Sequence, residues 1–278
     1  MENQEYINKL EKCRNNIDSI DDKILQLLQD RIAQVEEVRK IKLENGEKFF
    51  IKSAREADMI KNLLAKAEEK LSKSALVSIW RKIITSSNIL EQPIKIALHN
   101  PLKITDFKYI LREYYADFVP IINHENISDV VLDIQKNNAQ IAVFTLPKND
   151  SDICDNWWIN LANNKDGLKV FARLPFLKSD EYNLVVLAKK EQEKSSSDIS
   201  LLCVEAIKNT SKSQIIADMD KIGLKGTILK SASVKSVGDI IFHLIEVKGF
   251  FEEKSAEIEA LNKLKSKLFV KVLGVYPT

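Results

Sequence analysis

A chain of 278 residues has room for two or three domains, and 45% hydrophobic with 29% charged residues describes a globular protein, not a disordered one. Forty-two basic against forty acidic side chains leave +2, so no global field recruits nucleic acid or an anionic membrane. The opening stretch MENQEYINKLEK is too polar for a signal peptide and no apolar run approaches ~18 residues, so a soluble, cytoplasmic protein is expected.

The first forty-five residues hold no Gly or Pro. Ile17, Ile20, Ile24, Leu27, Leu28, Val35, Val38 and Ile41 recur mostly three or four apart, which paints one face of a helix from about Glu5 to Glu44. Such a helix is roughly 60 Å long at ~1.5 Å per residue. It cannot bury its stripe inside one compact monomer, so a partner chain or a long hairpin must cover it. Leu43 to Ser53, with Gly46, reads as a turn. A second helix follows to about Leu71, with Ser53 as N-cap and Glu56 as its capping-box partner. A third, capped by Ser74, runs through Leu76, Ile79, Trp80, Ile83, Ile84 and Leu90 and stops at Pro93. Residues 1–92 therefore form an open all-α unit that closes by pairing with a second copy.

The pattern changes at Pro93. Strands at Ile94–Leu98, Val119–Ile122 and Ile141–Leu146 alternate with helices at Asp106–Tyr115 and Ile127–Asn137. That alternation predicts an α/β layer with parallel pairing over residues 93–190. A short helix around Trp157-Trp158 and strands at Val170–Leu174 and Tyr182–Ala188 complete it. The polar, Ser-rich run Lys189–Asp198 reads as a linker. Beyond it, strand Ile199–Ala206, helix Lys212–Ile222, strands Thr227–Val234 and Ile240–Val247, helix Glu252–Leu268 and strand Phe269–Val275 give βαββαβ over residues 198–278. That order is the split βαβ of an α+β, ferredoxin-like sandwich.

Chemistry is sought in the cations of the first helix. Arg31 and Lys42 are eleven residues apart, about three turns, and share a face. Arg14 lies seventeen residues before Arg31, roughly 25 Å along the axis and about a quarter turn round. One small substrate cannot touch all three on one straight helix, but two antiparallel copies could bring Arg14 of one chain to Arg31 and Lys42 of the other. Arg55 and Glu56 open the second helix, where the N-terminus favours anions. Ser87 and Glu91, four apart, share a face of the third. The bland alternative makes all of them solvated surface charges. Cys13, Cys154 and Cys203 are far apart and read as free thiols of a reducing compartment; His99, His124 and His243 are isolated and read as structural.

The run Arg14-x-x-Ile17-Asp18-x-Ile20-Asp21-x-x-Ile24-x-x-Leu27-Leu28-x-x-Arg31, then Val38-x-x-x-Lys42, then Arg55-Glu56, resembles the all-helical class of chorismate mutase. Trp80-Arg81-x-Ile83-Ile84-x-x-Ser87-x-x-Leu90-Glu91 resembles that family's last helix. The resemblance implies an intertwined helical homodimer that rearranges chorismate to prephenate, a unimolecular step needing no nucleophile, metal or cofactor. By the same resemblance, Arg31 and the partner's Arg14 each bind a substrate carboxylate, and Lys42 binds a carboxylate and the ether oxygen. Glu56 accepts from the ring hydroxyl, Arg55 and Ser87 face the substrate, and Glu91 stands where many bacterial members carry Gln. An ionised Glu91 would oppose charge growing on the ether oxygen, whereas a protonated one could donate to it.

Phe242–Gly249 (FHLIEVKG) and the ending Val272-Leu273-Gly274-Val275-Tyr276-Pro277 resemble the ACT regulatory domain of prephenate dehydratases. Lys208–Ser213 lacks that group's Gly-Ala-Leu motif and Lys230-Ser231-Ala232 stands near its Glu-Ser-Arg-Pro, so amino-acid binding is not expected. Residues 94–190 resemble a shortened prephenate dehydratase domain through IALHNP and IAVFTLP, but Tyr182–Val186 lacks the closing Thr and Arg. Loss of one of two lobes is implied, and with it the cleft. The readings in order are therefore a mutase alone, a bifunctional mutase/dehydratase, and a non-catalytic dimeric scaffold.

Overall fold

A computed structural model describes residues 2–47, 49–152, 154–163, 167–177, 182–234, 238–263 and 269–278. The chain divides into two compact units, Met1–Phe50 with Ser87–Pro93, and Ile51–Ser86 with Ile94–Thr278.

The first unit is built on α1 (Glu2–Glu44), one unbroken helix of 43 residues. Its apolar stripe divides into two halves. Toward the C-terminal end Leu28, Arg31, Val35, Val38 and Lys42 are half-buried. Toward the N-terminal end Ile17, Ile20, Ile24 and Leu27 remain 50–66% exposed on the same face.

The second unit begins with α2 (Ser53–Lys66) and takes in most of α3 (Lys73–Glu91). Ile60, Val77 and Ile84 pack together, with Met59, Leu64 and Phe176 against them. The expected capping box does not form. Lys52 is the N-cap and makes no side-chain cap bond, Ser53 is the first helical residue and buried, and Glu56 turns inward to Arg81. A buried carboxylate gains more from a buried cation than from one more amide. The helix also ends before Leu71, because Ala67 is extended.

The rest of this unit shares one nine-stranded sheet of order β2-β1-β3-β5-β4-β9-β6-β8-β7. β1 (Ile96–His99), α4 (Thr105–Tyr115), β2 (Ile121–His124), α5 (Ile127–Gln135) and β3 (Ile141–Thr145) form a doubly wound start, with β1 paired in parallel to both β2 and β3. After α6 (Trp157–Ala162) come β4 (Leu168–Leu174) and β5 (Leu184–Lys189), which pair antiparallel with each other, and β5 with β3. Parallel pairing within this α/β layer thus ends at β3, and the short β4–β5 connection leaves room only for a hairpin.

β6 (Asp198–Ile207), α7 (Lys212–Lys221), β7 (Gly226–Ser233), β8 (Ile240–Lys248), α8 (Ala256–Asn262) and β9 (Phe269–Pro277) make the expected βαββαβ. Strands β9, β6, β8 and β7 lie side by side in that order, all antiparallel. The sequence reading carries α8 on to Leu268, and residues 264–268 lie outside those described.

The α/β start and the βαββαβ end meet where β4 runs parallel to β9, at the pair Val170 and Gly274. Gly274 has φ +149°, and a Cβ there would stand 2.2 Å from the Val170 carbonyl oxygen and 2.4 Å from its nitrogen. Both contacts are backbone, so neither can swing aside. Gly274→Ala is therefore expected to destabilise the fold by roughly 3 kcal/mol or more. Urea unfolding followed by circular dichroism checks this, and a midpoint equal to that of the parent chain contradicts it.

The run read as a linker is held on both sides. Lys190 is buried and donates to the Ile51 carbonyl at 3.0 Å, and Lys52 pairs with Glu193 at 3.1 Å. Ser196 bonds Asp58 through its amide and hydroxyl, while the Val275 amide donates to Gln192 at 2.5 Å. Its polar side chains serve backbone groups of the start of α2 and of β9, which composition alone does not reveal. The three histidines also have neighbours: Asp155 beside His99 at 3.2 Å, Asp133 on His124 at 2.7 Å and Ser231 on His243 at 2.9 Å. Among the described residues no helix is long and apolar enough to cross a membrane.

Candidate active site

Four of the sequence-predicted residues meet in the first unit. Arg31 and Lys42 project from α1 toward the last turn of α3, where Ser87 and Glu91 stand on one face. The Lys42 Nζ lies 2.5 Å from Glu91 Oε2 and 3.1 Å from the Phe50 carbonyl oxygen, to which it also donates. The Phe50 ring centroid is 5.3 Å from the same nitrogen. Arg31 donates through Nη1 to the Ser87 hydroxyl. The side chains of Lys42 and Glu91 are only 12% and 7% exposed. Two cations against one carboxylate leave the cluster net positive, and Lys42 and Glu91 are largely out of water. Charged groups so placed act on a bound anion through a lower effective dielectric than at the surface.

Why the sequence folds this way locally follows from spacing. Eleven residues return Lys42 to the face of Arg31, and both carry long apolar stems that pack along the stripe while the heads reach out. Ser87 and Glu91, one turn apart, present a hydroxyl and a carboxylate from one face of α3.

Arg14, the fifth member, is not among them. It is exposed on the bare half of α1. Arg55 and Glu56 belong to the second unit: Arg55 is exposed, and Glu56 is buried with its Oε2 3.0 Å from Arg81 Nη1. Arg81 is 2% exposed, and its guanidinium carbon lies 3.8 Å from the centre of the Tyr114 ring and 5.0 Å from that of Phe176. Burial pushes the Tyr114 hydroxyl up to about 12, so it is a neutral phenol at any physiological pH.

Two residues here were not singled out from sequence. Arg39 donates through Nε to the Glu91 carbonyl at 3.1 Å, fixing the end of α3. Arg81 sits on the buried face of α3 between Val77 and Ile84, four residues after one and three before the other. A lone cation inside an apolar helical stripe is the signal that could have found it.

Comparison with known proteins places this geometry. Residues 13–92 match the family described as chorismate mutase type II. The bifunctional chorismate mutase/prephenate dehydratase of Pseudomonas aeruginosa is 32% identical over 97 residues, covering 34% of this chain and 27% of that protein. The enzyme of the same description from Stutzerimonas stutzeri is 30% identical over 97 residues, with the same coverage. The chain thus spans about a quarter of the length of the curated relatives it matches. Among solved structures, one described as GqqA, a novel type of quorum quenching acylase, superposes with a TM-score of 0.52 at 13% identity, covering 67% of this chain and 96% of that one. The prephenate dehydratase of Staphylococcus aureus gives 0.50 at 8% identity, covering 66% and 100%. At such identities the likeness is one of fold. Residues 13–92 are thus similar to chorismate mutase type II and to the corresponding part of the bifunctional relatives, and about two thirds of the chain shares its fold with a solved prephenate dehydratase.

Proposed function

We propose that the protein is a chorismate mutase that works as an intertwined homodimer, with residues 1–92 as its catalytic domain. The observation that carries this reading is the meeting of Arg31 and Lys42 with Ser87 and Glu91, inside the segment that matches the mutase family. The substrate is a dianion that reacts by folding its side chain over its ring, so catalysis consists of holding the compact conformer and stabilising charge on the breaking ether bond. Arg31 takes one carboxylate by paired N–H donors, and Arg14 of the partner subunit takes the other. Lys42 turns from Glu91 to the ether oxygen and a carboxylate. Ser87 holds Arg31 in place, Arg55 adds positive charge, and Glu56 accepts from the ring hydroxyl.

The bare half of the α1 stripe supports the dimer. Ile17, Ile20, Ile24 and Leu27 continue the face whose other half is already covered, so a second α1 laid antiparallel would bury them. The βαββαβ segment is read as an ACT-like regulatory domain without an amino-acid effector, residues 93–190 as its dehydratase-like companion.

Purified protein incubated with chorismate is expected to form prephenate and no phenylpyruvate at neutral pH, measured by ultraviolet absorbance and chromatography. Phenylpyruvate without added acid would establish the bifunctional reading instead. The position of the missing Thr and Arg weighs against that outcome, since Leu184, Val185 and Val186 are fully buried in β5. Failure to consume chorismate would leave only the scaffold.

A further inference from the structure

We infer that Arg81 is a positioning residue for Glu56, and that Tyr114 and Phe176 of the α/β region hold Arg81 in place. The inference rests on the mutase reading above and adds to it residues outside that set. Its starting point is a charge where none is expected. Arg81 is 2% exposed on the apolar face of α3, and an isolated guanidinium there is strongly disfavoured. Its Nη1 donates to Glu56 Oε2 at 3.0 Å, whereas its Nε and Nη2 are buried without a hydrogen-bond acceptor.

Two aromatic rings lie against the guanidinium. The Tyr114 ring centre lies 3.8 Å from the guanidinium carbon and that of Phe176 5.0 Å. Stacking on two rings is an interaction that a planar guanidinium makes well and a lysine makes poorly. Packing against two rings also limits where the cation can move, and with it the group that pairs with Glu56. Tyr114 is fixed in turn, because its carbonyl accepts from the buried Thr85 hydroxyl at 3.3 Å and its ring meets Tyr115 edge-on with centroids 4.8 Å apart.

Neither ring comes from the mutase helices. Tyr114 lies in the last turn of α4, and Phe176 follows β4. Yet α2 and most of α3 belong to the same compact unit as those elements, and Lys190 and Ser196 bind the start of α2 as well. A carboxylate has acceptor capacity for more than one donor, so an ion pair on Oε2 is compatible with Glu56 accepting a substrate hydroxyl. The ion pair holds the carboxylate at one place and one angle. Displacement of a positioned group by an ångström can cost about a hundredfold in rate, which is why the support matters.

The test is a double-mutant cycle in the full-length protein, read as chorismate consumption. Arg81→Met is expected to lower kcat/KM by between about tenfold and a hundredfold, and Arg81→Lys to recover part of it. In a Glu56→Gln background, Arg81→Met should add less than about a twofold loss, because the group it positions has already been changed. A general packing defect would instead multiply with Glu56→Gln, and that outcome overturns the inference. So does an Arg81→Met protein with unchanged kinetics. Should Arg81→Met fail to fold, as judged by circular dichroism, Tyr114→Leu replaces it. It leaves the ion pair and removes one face of the clamp, and its kcat/KM loss must likewise vanish in the Glu56→Gln background. A parent protein inert toward chorismate would defeat the mutase reading and this inference together, whereas an active parent with multiplying losses defeats the inference alone.

Discussion

Replacing Lys42 with Ala is expected to lower kcat for chorismate by between about 10²- and 10³-fold, the cost typical of losing a donor aimed at developing negative charge. Lys42 is 12% exposed and held by the Phe50 carbonyl at 3.1 Å, so its ammonium is placed before substrate arrives. Its partner Glu91, 2.5 Å away, works in the opposite sense. An ionised carboxylate beside the ether oxygen offsets part of what Lys42 contributes, while a protonated one adds a donor. Glu91→Gln, which keeps the shape, carries no negative charge and always donates, should therefore raise kcat above that of the parent. Steady-state kinetics on the three proteins decide the matter. Equal kcat for the parent and Glu91→Gln would refute the role given to Glu91, and a Lys42→Ala protein within tenfold of the parent would refute the role given to Lys42.

The part of this site that could be read from the sequence is the part that depends on helical periodicity. Arg31 with Lys42, and Ser87 with Glu91, are pairs on single helices, and spacing fixes their faces before any tertiary contact is known. Element types followed the same logic, because the strands of the α/β region are short β-branched runs between amphipathic helices. What escaped depends on which elements come together. Glu56 has the spacing of a capping box, and only the approach of α3 to α2 shows that Arg81 takes it instead. The run Lys189–Asp198 has the composition of a linker, and only the presence of Ile51, Asp58 and Val275 beside it shows that it is a fastened strap. Gly274 belongs to a motif legible in the sequence, but its need to lack a side chain shows only when β4 is seen to pass within reach of its absent Cβ. Long-range pairing is decided by the whole chain, so local patterns carry little of it.

Mixing two inactive proteins, Arg14→Ala and Arg31→Ala, is expected to restore activity. The reason is geometric. Arg14 and Arg31 are seventeen residues apart on an unbroken helix, roughly 25 Å at ~1.5 Å per residue, which no single chorismate can span. In a twofold-symmetric dimer each site takes Arg31 from one chain and Arg14 from the other. A hybrid then holds one site with both arginines and one with neither. Random reassortment makes about half of the dimers hybrids, so the mixture should reach about a quarter of the parent activity, while each protein alone stays near zero. The two proteins must be unfolded and refolded together, or co-expressed, since chains wound around each other exchange slowly. A recovery that appears only after such exchange, and tracks the hybrid fraction measured with differently tagged chains, is what a shared site requires. Equal inactivity before and after exchange, with hybrids shown to be present, would mean that Arg14 does not act across the interface, and a fully active monomer would remove the need for the bare half of the α1 stripe to be covered at all.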